Sequence, residues 1–419
     1  MLRTFYSFLI NSIFILSFPK LKNKYSEGLN ERKGLPSVEK LDKLKGKKPL
    51  WIHGVSVGEV QAAISIIKAA RDGGYEGPIL LSTTTETGKA MAYLIGNGLF
   101  DLHLYYPWDR SKFVSFALDS INPWAFVTME TEIWPNILWA LKDRQIPAFL
   151  ANGRISQRTW KRLSTFLGKK IGKEFYNLFT ELCLREDMDK ELLEELGLSS
   201  TKLHVLGDTK IDSLLSRKKA VECTDFKRIT PVLNAPIFIA GSTHPGEYDY
   251  LLEAFAILKD KMSSAKLLIV PRHPDKAPLV FDIFSNHYKT TKYSSNNDDW
   301  DVMVVDEIGV LYHLYSLSIS AFVGGSFIDK GGQNILEPVS WGVPVQYGPH
   351  MEDFAEASEE LIEMGIATQV SSGKELGRIW KEIAANPQKE KYKNISEQYF
   401  EKKSAAARRT WEIISKYKD

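Results

Sequence analysis

From Lys48 onward the chain alternates short apolar runs with amphipathic stretches, and it does so twice, which restricts it to folds built on parallel sheets. The first series reads PLWIHGVS, a helix from about 59 to 72, PILLSTT, a helix after Thr87, then NPWAFVTM and a helix after Trp134. Val60, Ala63, Ile64 and Ile67 fall at i, i+3, i+4 and i+7 of the first helix, a stripe that packs on a sheet. The second series opens at PIFIAGS and continues with AKLLIVPRH, DVMVVDE and LSISAFVGGS, separated by helical text. Strands joined by crossover helices run parallel, so two Rossmann-like halves are expected. With 419 residues, each half can bury its own core.

The expected organisation is an apolar segment and basic linker over 1–34, one Rossmann-like domain over 35–225 and a second over 226–419. The charged stretch from Ser213 to Ala235 reads as the connection, and the last helix, about 391–416, is expected to cross back onto the first domain.

Residues 4–19, TFYSFLINSIFILSFP, carry no charge and are followed by Lys20, Lys22 and Lys24. As a helix sixteen residues reach roughly 24 Å, short of a hydrocarbon core of about 30 Å, so spanning the bilayer and lying in its surface both stay open. No small-residue cleavage site follows, so retention as an anchor is expected over removal as a signal peptide. A formal net charge of +2 gives no bulk attraction to nucleic acid. Two cysteines, Cys183 and Cys223, support neither a disulfide framework nor a zinc site, which fits a reducing cytoplasm.

In open α/β sheets ligands bind beyond the carboxyl ends of the strands. The first strand runs into Ser56 and Glu59, spaced as a capping box in which Glu59 reaches back to the amide of Ser56; the same carboxylate is placed to take a proton from an acceptor hydroxyl. STTTETGK lacks the Gly and Ser/Thr of a phosphate loop at 83 and 90 and reads as a hydroxyl-rich helix entry. METEIWPN sets Glu130 and Glu132 after a further strand, giving three carboxylates at one edge. In the second half GSTHPGE and PRHP offer hydroxyls, amides and the guanidinium of Arg272 for an anion. VGGSFIDKGGQNILEP is a glycine-rich loop into a helix starting near Asn334, with Asn334 and Glu337 spaced either as a cap or as a nucleotide site.

WIHGVSVGEV, LSTTTETGK, YYPWD, METEIWPN, NGRIS, VLGDTKID, GSTHPGE, PRHPDK and GGQNILEP, in this order behind an apolar N-terminus, resemble the 3-deoxy-D-manno-octulosonic acid (Kdo) transferases of lipopolysaccharide biosynthesis. That resemblance implies an inverting GT-B glycosyltransferase, with two Rossmann-like domains facing a central cleft, that moves Kdo from CMP-Kdo to a lipid A precursor. It implies Glu59 as general base and Glu130 with Lys210 stabilising the transition state. It places the nucleotide on Pro271 and Arg272, on Ile308, Gly309 and Val310, and on Asn334, Ile335, Leu336 and Glu337. No cofactor and no metal are expected; the partners are CMP-Kdo, the lipid acceptor and the cytoplasmic face of the inner membrane. Three positions depart from the pattern: Gln333 stands where many relatives have His, Asp208 where Asn is usual, and Val310 at a commonly polar position. The rivals are another GT-B enzyme, such as a nucleotide-sugar 2-epimerase, and a non-enzymatic sugar-nucleotide binder.

Overall fold

The computed structural model describes residues 2–44, 46–221, 235–295 and 299–418, without the side chains of 157, 158 and 219–221. It separates into two compact units, Met1–Ser213 with Lys403–Asp419, and Leu214–Lys402. The expected boundary at 225/226, most of the expected connection and Cys223 lie outside the described residues. The connection is not irregular at its start, because Thr209–Val221 form one helix.

The first unit holds seven parallel strands: β1 (Leu50–Gly54), β2 (Ile79–Thr83), β3 (Leu102–Tyr105), β4 (Ala125–Met129), β5 (Ala148–Gly153), β6 (Glu181–Leu184) and β7 (Leu203–Val205). Their order is β3-β2-β1-β4-β5-β6-β7. β3, β5, β6 and β7 were not legible as strands: LHLY, ELCL and LHV are three or four residues long, too short for an alternation to stand out, and AFLANG ends in the turn-type residues Asn and Gly. The order reverses between β1 and β4, so the crevice of a doubly wound sheet opens where these two strands end. The helix Val57–Asp72 follows β1 and buries Val60, Ala63, Ile64 and Ile67 as the stripe requires.

The same face of the sheet is closed from the far end of the chain. The expected helix over 391–416 is two helices, Lys389–Lys403 and Ala406–Ser415, broken at Ala405, whose φ is +68°. The second packs Ala407, Trp411 and Ile414 into the apolar cluster that holds Val60 and Ile67. Asp212 accepts the amides of Ala405 and Ala407 at 2.6 and 2.7 Å, so a carboxylate nearly 200 residues away in sequence caps its first turn.

The second unit repeats the plan with β8 (Ile237–Thr243), β9 (Lys266–Pro271), β10 (Thr290–Lys292), β11 (Val302–Val304), β12 (Ser320–Val323), β13 (Val345–Tyr347) and β14 (Ala367–Gln369). The order β10-β11-β9-β8-β12-β13-β14 puts the reversal between β8 and β12.

At the N-terminus the helix Leu2–Lys24 is long and apolar enough to cross a membrane. One of its sides is tied to the first unit: Tyr6 donates to Asp109 at 3.0 Å, Ser7 to Asn136 at 2.6 Å, and Asn11 accepts from Arg110 at 2.8 Å. Phe14 is buried against Trp108 and Phe113. Phe5, Phe8, Ile15 and Leu16 point away and are exposed.

Candidate active site and nucleotide-binding loops

At the reversal of the first sheet, the chain leaves β1 through Val55 and Ser56 into the helix that carries Glu59. The Glu59 amide donates to the Ser56 hydroxyl at 3.3 Å, and that hydroxyl donates to Glu59 Oε1 at 3.1 Å. The other oxygen, Oε2, accepts the amide of Val55 at 2.8 Å. The capping box therefore forms, but its return bond goes one residue further back than the expected Ser56 amide. Glu59 is only 8% exposed. Burial raises its carboxyl above the ordinary range, opposed by the Val55 bond and reinforced by the charge of Glu130. A base needs such a shift, so capping and proton abstraction are compatible in one residue.

β4 ends in a tight turn. Glu130 has a φ of +55°, a left-handed conformation costly for a non-glycine residue, and its amide donates to Ala151 O at 2.9 Å. Its carboxylate is ion-paired with Lys210. The Lys210 ammonium lies 3.4 Å from where a Cβ on Gly58 would be, within van der Waals contact of the turn that carries Glu59. The structure thus brings Glu59, Glu130 and Lys210 together. Glu132, the third carboxylate of this edge and with the other two a candidate for hydroxyl activation, joins them: burial and then the charge of Glu59 raise its carboxyl to about 7.

Asp208, at the position where relatives carry Asn, lies 3.2 Å from the guanidinium of Arg185 and accepts the amide of Lys210 at 2.9 Å. The extra negative charge is thus neutralised locally, and the acidic residue still fixes the start of the helix that presents Lys210. Arg185 escaped the sequence reading because nothing in LREDMD places it near VLGDTKID. A groove of about 1650 Å³ opens at the opposite edge of this sheet, among Pro78, Pro123 and Pro147, away from these carboxylates.

In the second unit the reversal is organised by Glu247. It is fully buried, and its carboxylate accepts four backbone amides. Those of His244 and Gly325 reach Oε2 at 2.8 and 2.9 Å; those of Ser326 and Phe327 reach Oε1 at 3.0 and 3.1 Å. One side chain thus ties the loop after β8 to the loop after β12. Gly324 is required there, since a Cβ on it would lie 2.6 Å from Ser242 O. The amides of Gly325, Ser326 and Phe327 are consequently taken up within the protein. GSTHPGE offers ligand donors by its sequence, whereas its last residue, Glu247, is an internal acceptor.

Pro271 closes β9, and the Arg272 amide donates to Thr243 O at 2.9 Å while its side chain is exposed. Ile308 is 85% exposed and Gly309 has a φ of +90°. Val310 is half-buried against the apolar cluster that includes Leu314 and Tyr315, which accounts for an apolar residue at this position. The helix expected near Asn334 begins two residues later and lasts one turn, Leu336–Ser340. Asn334 Oδ1 accepts the amide of Leu336 at 3.1 Å instead of capping through Glu337. Glu337 pairs with Arg217 at 3.4 Å, and that guanidinium stacks 4.2 Å over Tyr312. Desolvation raises the Glu337 carboxyl and Arg217 opposes it. Gln333 sits beside Gly325, its Nε2 3.4 Å from where a Cβ there would be. Asp329, His350 and Glu352 bring ligand-type atoms within 4.8 Å of one another near this loop, a grouping invisible at their sequence spacing.

Residues 27–213 match the family described as 3-deoxy-D-manno-octulosonic-acid transferase (kdotransferase). A 3-deoxy-D-manno-octulosonic acid transferase of Haemophilus influenzae is 30% identical over 357 residues, covering 83% of this chain and 81% of that protein. A bifunctional glycosyltransferase/methyltransferase of Fusobacterium nucleatum is 29% identical over 85% of this chain, which spans 55% of that longer protein. Among solved structures, a UDP-GlcNAc 2-epimerase of Neisseria meningitidis superposes with a TM-score of 0.61 at 15% identity, covering 88% of this chain and 99% of that one. At that identity the likeness establishes the GT-B-type fold and nothing of the chemistry.

Proposed function

The chain belongs to the 3-deoxy-D-manno-octulosonic acid transferase family of glycosyltransferases, and on that premise we propose that it transfers Kdo from CMP-Kdo to a hydroxyl of a lipid A precursor. The observation that carries the proposal is the meeting of Glu59, Glu130 and Lys210 at the reversal of the first sheet, with the Glu59 carboxyl raised by burial.

Glu59 draws the proton from the acceptor hydroxyl as that oxygen attacks the anomeric carbon, and the bond to the CMP phosphate breaks with inversion. Lys210, held by Glu130, places a positive charge beside the base and stabilises charge developing at the reacting centre. The second unit holds the nucleotide: Pro271 and Arg272, the loop at Ile308, Gly309 and Val310, and Asn334 to Glu337 are the residues assigned to it. Arg272 supplies a cation for the phosphate and Glu337 a carboxylate for ribose hydroxyls. We assign no metal to the reaction, since a leaving group with one phosphate is stabilised by cations and amides alone.

The N-terminal helix docks its polar side on the first unit and leaves Phe5, Phe8, Ile15 and Leu16 exposed. This supports a helix lying in the cytoplasmic face of the inner membrane, which keeps the unit close to a lipid acceptor.

The test is incubation of the protein, native and Glu59→Ala, with CMP-Kdo and a tetraacylated lipid A precursor in EDTA, following product mass and CMP release. Transfer by the native protein alone is expected, and the mass increment counts the sugars added. No transfer by folded native protein refutes the assignment; equal transfer by the variant reduces Glu59 to a helix cap.

A further inference from the structure

One polar cluster of the first unit is not used by the chemistry above. Arg185 follows β6: its amide donates to Gly153 O at 3.0 Å, and its guanidinium lies 3.2 Å from Asp208 and 3.5 Å from Glu186. Asn152, near the end of β5, has a φ of +54°, and its Oδ1 accepts the amide of Thr209 at 2.9 Å. Thr209 in turn precedes Lys210. The ends of β5, β6 and β7 are thereby gathered beside the Lys210–Glu130 pair.

Three polar atoms of this cluster have no hydrogen-bond partner among the described residues: Arg185 Nε, Asn152 Nδ2 and the Thr209 hydroxyl. Asn152 and Thr209 are essentially inaccessible, at 1% and 0% exposure, while the Arg185 side chain keeps 20% of its surface open. Buried donors without acceptors are costly and rare in folded proteins. Of the three, only the Arg185 side chain keeps open surface, and its Nε can only donate, so the partner it matches is an oxygen acceptor. An oxyanion fits best, because a guanidinium fork held by a carboxylate on one side presents its remaining N–H groups to another carboxylate or a phosphate.

We propose that this cluster is an oxyanion subsite for substrate, in which Arg185, oriented by Asp208, engages a carboxylate or phosphate group close to the hydroxyl that Glu59 activates. The proposal rests on the transfer reading and deepens it, since the sugar of this family is an acid, with a phosphate on the proposed acceptor as the other source of the same chemistry. Arg185 is then a specificity residue, and Asp208 positions it.

The experiment uses the full chain with Arg185→Gln, Arg185→Lys and Asp208→Asn, measuring kcat and KM for each substrate with the other saturating. Arg185→Gln is expected to raise one of the two KM values at least tenfold while kcat stays within about threefold, with partial recovery in Arg185→Lys. A change in donor KM identifies the sugar carboxylate, and a change in acceptor KM that disappears with a dephosphorylated acceptor identifies the phosphate. If both KM values stay within twofold while thermal stability falls, the pair is structural and the subsite is refuted. If the native protein transfers no Kdo, the proposed function fails without deciding this point. Inorganic phosphate binding, followed by calorimetry, then decides it: loss of binding in Arg185→Gln supports the subsite, and equal binding overturns it.

Discussion

Replacing Glu247 by Gln changes one atom of the side chain and tests the reading of the second unit. In the native protein both oxygens accept, Oε2 from His244 and Gly325 and Oε1 from Ser326 and Phe327. An amide has one oxygen, so whichever way it turns, two backbone N–H groups lose their acceptor and face an NH₂. Each buried donor left unpaired costs about 1–3 kcal/mol, which gives about 2–6 kcal/mol for the pair. For a unit of this size about 1 kcal/mol lowers Tm by ~2–4 °C, so the transition of the second unit is expected to fall by ~4–24 °C. Differential scanning calorimetry of the full chain reads this directly, with the first unit's transition as internal control. CMP binding is expected to weaken too, since the loops after β8 and β12 lose their tie. A Tm within about 1 °C of native would refute the claim that this carboxylate organises the loops.

Three further outcomes are expected. Glu59→Ala should lower kcat by about 10²–10⁴-fold, and the native rate should fall with acid below a limb lying above the range of a free glutamate, as burial of Glu59 dictates; a pH–rate profile checks both. Glu132 binds its proton more tightly folded than unfolded, with a folded value of about 7, so its ionisation removes stability as pH climbs from the ordinary carboxylate range through 7. Glu132→Gln should accordingly be near neutral in stability at pH 4 and gain up to about 3 kcal/mol at pH 8, read by denaturant unfolding at both pH values. Trp411→Ala should cost the first unit about 3–5 kcal/mol and leave the second unit's transition in place, measured by calorimetry.

The sequence was informative where a five-residue, largely apolar strand met a helix with a clear stripe, as at Leu50–Gly54 and Val57–Asp72. Those junctions hold Glu59 and Glu130, so both are legible as strand-end carboxylates from the strand–helix pattern alone. Lys210 was not, because its place depends on a three-residue strand, Leu203–Val205, and a helix whose apolar pattern is weak. Arg185, Arg217 and Glu247 share a different reason for being missed. Their partners, Asp208, Glu337 and the amides of 325–327, lie from 23 to 120 residues away and are met only after the sheets assemble. The broken C-terminal helix follows from the same cause: Asp212 supplies the cap that local text lacks.

That cap also sets an order of events during synthesis. The helix Ala406–Ser415 belongs to the first unit, yet the ribosome makes it only after roughly 190 residues of the second unit. At elongation rates of about 5–20 residues per second, that is a delay of ~10–40 s. Through that interval the surface around Val60 and Ile67 lacks Trp411 and Ile414, and the side of the nascent sheet they cover stays open. The second unit is contiguous and free to fold on emergence, so the half that carries Glu59 is finished last.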